Sequence, residues 1–172
     1  MILKETLSKT EKSKAFRQWK KQNPEFYLAH AFTMLDEKEK KYRWELGFYN
    51  PKTDRLAVVE TDPQVLVRPE EEVFKKEGQV KPLDMSKVEV SVARANQACD
   101  DLIREKYSAQ VVTKRIILLQ NIDRQLYNIT LVTLSFSLLN VKVDAGTGDV
   151  VSHNLQSIMG LGEWQKGGRQ QG

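Results

Sequence analysis

The sequence predicts an α+β protein built from two similar units, each with one helix followed by a meander of antiparallel strands. Two observations lead to this prediction. An amphipathic helical segment opens each half of the chain, and apolar runs joined by short polar turns follow it. A third observation is that the last tight turn of each half has a related sequence. We expect each helix to pack on one curved sheet.

Length and composition describe an ordinary globular protein. The 172 residues suffice for one medium domain or two small ones, and 40% are hydrophobic while 29% are charged. No run approaches the roughly 18 apolar residues of a membrane helix, so no membrane span is expected. The N-terminal segment lacks the apolar core of a signal peptide, which predicts a cytoplasmic location. A single cysteine, Cys99, excludes an internal disulfide.

The first unit is predicted to span residues 1–75. A capping-box pattern at Ser8-Lys9-Thr10-Glu11 predicts a helix over 8–22, which Asn23-Pro24 ends. Three strands follow at 26–35, 42–49 and 55–60, the last two joined by the turn from Asn50 to Asp54. A short strand at 65–67 and a first helical turn at Pro69-Glu70-Glu71-Glu72 complete the unit.

The second unit is predicted at 86–160, after a linker at 76–85. A second capping-box pattern, Ser86-Lys87-Val88-Glu89, predicts a helix over 87–107. Strands are predicted at 111–119, 127–143 and 150–154, with a turn at 121–125. The apolar alternation changes face within the long strand, which predicts a β-bulge near Leu138 and Leu139. Residues 161–172 are expected to form a mobile tail, and the two units could share one sheet or form separate lobes.

A shift of 94 residues aligns the segment from Tyr49 to Leu56 with the segment from Val143 to Val150. The threonine of each turn coincides, and Asn50 falls on Asp144. Apolar positions flank both turns. The pattern indicates a duplicated structural unit.

The second half, with a helix from Ser86 to Tyr107 and the hairpin Val143-Asp144-Ala145-Gly146-Thr147-Gly148-Asp149-Val150, resembles the PepSY-type module, which has a cystatin-like half. The first half departs from the motif, because Asp54 stands where the hairpin has a glycine. The resemblance implies a module that binds or inhibits peptidases, or that serves as a sensing or accessory domain. It implies no catalytic residues.

The sequence offers no pattern for catalysis, metal binding or a cofactor. The glycines around Thr147 precede a strand and not a helix, so Asp144, Gly146, Thr147 and Gly148 are interpreted as a structural hairpin and not as a phosphate loop. His30 and His153 stand alone, and two histidines with one cysteine make a metal site an unfavourable interpretation. Cys99 lies on the apolar face of its helix, where a core position is expected.

The leading functional hypothesis is a non-catalytic module that binds a protein or peptide. One alternative is nucleic-acid binding through the basic N-terminal segment, by residues Lys9, Lys12, Arg17, Lys20 and Lys21. Against it, Phe16 and Trp19 of that segment are needed to cover the sheet. The other alternative is a small-ligand carrier or enzyme that uses a cavity between helix and sheet.

Overall fold

The computed structural model describes residues 2–73 and 78–158. The protein is α+β, and these residues form three α-helices and a large antiparallel sheet. The helices are α1 (Leu3–Lys12), α2 (Lys14–Gln22) and α3 (Val92–Lys106), and a 3₁₀ turn spans Met85–Lys87. The strands are β1 (Tyr27–Asp36), β2 (Glu45–Asn50), β3 (Arg55–Glu60), β4 (Leu66–Val67), β5 (Glu71–Glu72), β6 (Val112–Ile122), β7 (Arg124–Thr133), β8 (Ser137–Asp144) and β9 (Val150–Ser157).

The nine strands of the described residues belong to one sheet in the order β4-β3-β2-β1-β6-β7-β8-β9, and β5 pairs with β3 beside β4. The two halves of the chain therefore meet edge to edge through β1 and β6, which pair from His30–Gln120 to Asp36–Lys114. Leu83, in the segment predicted as a linker, packs on this sheet. Leu83 is buried and donates its N–H to the carbonyl of Leu28.

The core lies between the helices and one face of the sheet. Phe16 and Trp19 of α2 contact Phe48 of β2, with ring centroids 5.0 and 5.7 Å apart respectively. Cys99 and Leu102 of α3 are buried in the same cluster as Ile129 and Val141. Burial of each large apolar side chain in this cluster stabilises the fold by roughly 2 kcal/mol.

The prediction of one helix over 8–22 was wrong. Ser13 has extended backbone and separates α1 from α2, and its Oγ accepts a hydrogen bond from the Phe16 N–H at 3.2 Å. The N-cap is thus Ser13 and not Ser8. Helix α1 begins five residues before Ser8, because Leu3, Thr6 and Thr10 lie on one helical face that the core buries.

The predicted helix start near residue 87 was also wrong. Ser91 is the N-cap of α3, with its Oγ accepting from the Arg94 N–H at 3.1 Å. Glu89 and Val90 instead donate their N–H groups to the carbonyl of Ala145. The hairpin after β8 therefore holds the residues before α3 in an extended conformation.

The β-bulge predicted near Leu138 and Leu139 does not exist. The segment 127–143 is two strands, because the chain reverses between Thr133 and Ser137. Phe136 adopts a φ of 55°, and the Oγ1 of Thr133 accepts a hydrogen bond from the Ser137 N–H. The reversal explains why the apolar alternation changes face, and it gives the second half four strands after its helix instead of three.

Two further turns differ from the prediction. The segment Pro69–Glu72 does not begin a helix, because Glu71 and Glu72 pair with Leu56 and Arg55 as β5. The turn predicted over 121–125 is tighter, with Asp123 alone between β6 and β7 at a φ of 65°. The prediction of a mobile tail at 161–172 lies outside the described residues.

Candidate binding surface

The two edges of the sheet differ in how they are protected. The outer edge of β3 is covered by β4 and β5, which pair with its two ends. Arg68 donates its N–H to the carbonyl of Val58, and its guanidinium forms ion pairs with Glu45 at 2.9 Å and Glu60 at 3.3 Å. Short strands and charged residues are common devices that keep an edge from pairing with another chain.

The other edge, β9, has no such protection from the residues that the structure describes. Val150–Ser157 is eight residues long and contains neither proline nor a residue with a formal charge at neutral pH. It pairs with β8 on one side, and on its other side no strand lies among residues 2–73 and 78–158. A long, uncharged edge of this kind can accept an added strand.

The hydrogen-bond pattern identifies which backbone N–H and C=O groups of β9 point away from the sheet. Ile158 donates its N–H to the carbonyl of Phe136 at 2.8 Å, which continues the register of Ser157 with Ser137. In an antiparallel ladder, alternate residues bond to the same neighbour. The backbone groups of Ser152, Asn154 and Gln156 therefore face β8, whereas those of His153, Leu155 and Ser157 point away from the sheet.

The side chains of β9 differ between the two faces. Ser152, Asn154 and Gln156 are exposed on the face opposite the helices. On the helix side, His153 Nδ1 lies 2.6 Å from the Tyr107 hydroxyl oxygen, at the C-terminal end of α3. A groove of about 370 Å³ runs between α3 and β9 and has both signs of charge along it, from Arg94 and Lys106 and from Asp101, Glu105 and Asp149.

Large apolar side chains are exposed near both ends of β9. Val151 is 48% exposed at the beginning of the strand, and Ile158 is 40% exposed just after its end. Phe136, hydrogen-bonded to Ile158 through the backbone, is 68% exposed at the tip of the β7–β8 hairpin. The positive φ of Phe136 is uncommon for a bulky residue, and the conformation directs this aromatic side chain into solvent.

The glycine-containing hairpin lies between β8 and β9. The Asp144 carboxylate accepts hydrogen bonds from the N–H groups of Gly146 at 2.8 Å and Thr147 at 3.1 Å, and Gly148 has a φ of 85°. Burial opposes ionisation of Asp144, but these N–H donors and Arg124 outweigh it and lower its pKa. The carboxylate already accepts from the N–H groups that a phosphate would need. The turn is therefore interpreted as a chain reversal and not as a phosphate site.

The five basic candidate residues do not form one continuous helical face. Lys9 and Lys12 lie on α1, and Arg17, Lys20 and Lys21 lie on α2. Lys20 donates to the carbonyls of Pro24 and Phe26, and desolvation lowers its pKa despite the opposing charge of Glu25. Lys9, Lys12, Arg17 and Lys21 are exposed. Phe16 is buried and Trp19 is packed on Phe26 and Phe48, so neither aromatic ring is available for stacking on bases.

Reactive side chains are dispersed in the described part of the chain. No group of three or more His, Cys, Asp or Glu residues that could hold a metal ion occurs there. Desolvation raises the pKa of Cys99 to about 12, so its thiol is not an activated nucleophile. The described helices also include none with the length and apolar character that crossing a bilayer requires.

One apolar cavity adjoins the helix starts. It measures about 400 Å³ and lies between the beginning of α1, the segment before α3, and the sheet. Leu3, Val88 and Tyr127 are among the buried residues that line it, and the Tyr127 hydroxyl donates to the carbonyl of Val90 at 2.7 Å. Such a volume is within the range of small-ligand sites.

The sequence predicted the hairpin and the basic residues, but it did not predict that β9 lies at the edge of the sheet formed by the described residues. The uncharged composition of 150–157 is visible in the sequence, but strand order is not. The edge could have been found only by knowing that β9 follows β8 at the end of the sheet.

No protein-family model matches this sequence, and no curated protein matches it. Among solved structures, the crystal structure of a "putative lipoprotein" from Clostridium difficile 630 is similar, with a TM-score of 0.52 at 13% sequence identity. The similarity covers 83% of this chain and 90% of that one. At this identity it shows a shared fold.

Proposed function

We propose that this protein is a non-catalytic module that binds a protein or peptide by adding an extended segment of its partner to β9. The observation that carries the proposal is the eight-residue edge β9, which has no charged residue and no proline, whereas β4 and β5 cover the opposite edge of the sheet. Backbone pairing would supply affinity, and the adjoining groove along α3 would select side chains.

We interpret the fold as two cystatin-like or PepSY-like units joined at β1 and β6. In support, Asn50 Oδ1 accepts from the Lys52 N–H at 2.9 Å, as Asp144 Oδ1 accepts from Gly146. The aligned turns thus share one hydrogen-bond device. The four strands of the second half depart from a strict repeat.

The test selects a binding peptide from a random displayed library and measures amide hydrogen exchange of the protein with and without it. The proposal expects the N–H groups of His153, Leu155 and Ser157 to gain protection, because they point away from β8. The Ser157→Pro variant removes one outward N–H without removing a bond to β8, and it should weaken binding. Protection confined to other strands, or unchanged affinity of the variant, would contradict the proposal.

The cavity beside α1 favours a second candidate function, the binding of a small apolar ligand. Its lining of Leu3, Val88 and Tyr127 suits an apolar group and offers few free polar partners. Titration with the fluorescent probe anilinonaphthalene sulfonate tests it, with the cavity-filling variant Val92→Phe as the comparison. Binding that the variant abolishes would support a ligand site, and equal binding by both proteins would exclude this cavity.

A further inference from the structure

We propose that a second copy of this chain pairs with β9, forming a two-fold dimer whose sheets are continuous across the two β9 strands. The inference rests on the same edge as the proposed function and names the partner that the edge fits best. Its basis is the symmetry of the edge. An antiparallel pair of identical strands is related by a two-fold axis, so any strand that pairs with itself makes an isologous interface.

Backbone geometry limits the possible registers. The outward groups are those of His153, Leu155 and Ser157, so the pairing must align outward residues with outward residues. The register that pairs His153 with Leu155 of the second copy, and Leu155 with His153, satisfies this condition. It is centred on Asn154, which lies within one residue of the middle of the strand Val150–Ser157.

The exposed apolar side chains fit the same register. Centring on Asn154 places Val151 of one copy opposite Ser157 of the other. Val151 and Ile158 are exposed in the single chain, and an antiparallel pairing puts the Val151 end of each strand beside the Ile158 end of the other. Because exposed apolar residues lie near both ends of one strand, a two-fold rotation places the apolar ends of the two copies side by side, which favours a second copy over an unrelated peptide.

Charge is consistent with self-pairing. When two identical strands pair in antiparallel fashion, the central residue lies opposite the same residue of the other copy. A charged residue at this position would repel its copy. Asn154 is uncharged, and no Lys, Arg, Asp or Glu occurs from Val150 to Ser157. The groove beside the strand has charges of both signs, which a two-fold axis can pair across the interface.

The experiment measures molecular mass by sedimentation velocity from about 1 to about 100 µM protein. The wild-type protein is expected to dimerise. Asn154→Lys and Asn154→Asp should each weaken dimerisation by about three- to fivefold, since like charges then lie opposite each other. An equimolar mixture of the two variants should recover the dimer, because lysine then faces aspartate.

The control is Leu66→Lys, which adds the same charge at an exposed position of β4 on the other edge and should leave the dimer unchanged. A monomeric wild-type protein would overturn the inference while leaving peptide binding by β9 intact. A dimer that both Asn154 variants retain would place the interface elsewhere and also overturn it. If the protein is shown to be a β9 dimer and the peptide gives β9 no protection from hydrogen exchange, the dimer inference stands and the proposal of peptide binding by β9 is contradicted.

Discussion

The imidazole of His30 lies directly over the backbone of Gly47 on the neighbouring strand. A Cβ built on Gly47 would be 2.1 Å from Cε1 of His30 and 2.4 Å from Nε2. The two residues pair in register between β1 and β2, beside the irregularity at Leu28 and His30. Gly47 is therefore fixed by the space that the imidazole occupies.

Gly47→Ala is expected to destabilise the protein by about 2 kcal/mol, because the histidine ring must move to relieve the clash. Chemical denaturation measures the change. The double variant His30→Ala with Gly47→Ala serves as the control, since removal of the ring frees the space and most of the loss from the glycine change should disappear. If Gly47→Ala lowers the free energy of unfolding equally with and without the His30 ring, the clash is not the cause.

Burial lowers the pKa of His30 below its ordinary value of 6.5. The unfolded chain then binds more protons than the folded one once the pH falls below that value. The contribution of neutral His30 to stability is thus complete above pH 6.5 and is lost progressively as the pH falls towards the folded pKa. Unfolding free energy should fall between about pH 7.5 and about pH 5.5, and less so in His30→Gln. A titration by NMR that places the folded pKa above 6.5 would refute this expectation.

Arg115 holds together the end of the sheet and α3. Its Nε lies 2.5 Å from Glu37 and its Nη2 lies 2.6 Å from Asp100, with the side chain only 9% exposed. Arg115→Met should cost about 2–3 kcal/mol, because two partly buried carboxylates lose their cation. Arg104→Met is the control. Its pair with Asp101 is mostly exposed, so a change of less than about 0.5 kcal/mol is expected in the same denaturation measurement.

Cys99 should resist thiol reagents in the folded protein. Burial raises its pKa to about 12, and the thiolate is the reactive form. Reaction with an aromatic disulfide reagent at neutral pH should be at least about 100-fold slower in the native protein than in denaturant. Comparable rates in the two states would mean that the helix α3 opens readily from the sheet.

Asp144→Ala should destabilise the β8–β9 hairpin by about 1–2 kcal/mol, since two N–H groups and Arg124 lose their acceptor. Asp144→Asn keeps an acceptor oxygen and, like Asn50 in the aligned turn, should retain most of the stability. Thermal unfolding of both variants checks the comparison. An equal loss in both would indicate that the charge of Asp144, and not its hydrogen bonds, holds the turn.

Charge reversal of the basic residues tests the alternative of nucleic-acid binding. If a nucleic acid binds there, it contacts Lys9, Lys12 and Arg17 without aromatic stacking, because Phe16 and Trp19 are packed on the sheet. Binding of a single-stranded oligonucleotide should then depend steeply on salt, show little base preference, and be lost when these three residues are changed to Glu. Binding that survives the three changes would exclude this surface.

Local patterns in the sequence predicted much of the fold. The apolar runs at 26–35 and 55–60 form strands, and the Asn50 and Asp144 turns reverse the chain, because alternation and turn chemistry act over a few residues. The helix starts predicted from the capping-box patterns were wrong in both halves of the chain. Ser8 and Ser86 have capping-box spacing, but Ser13 and Ser91 are the N-caps, since packing of Leu3 and Thr10 and the bonds to Ala145 fix the helix ends.

By itself, the sequence determined the α+β composition, the antiparallel hairpins and the absence of charge along 150–157. Only the tertiary structure decided that the two halves form one sheet joined at β1 and β6, that Phe136 turns the chain between β7 and β8, and that no strand of the described residues pairs with the outer side of β9. The physical reason is the range of the interactions. Turn and strand preferences are local, whereas strand order depends on pairing between residues as far apart as Phe32 and Leu118.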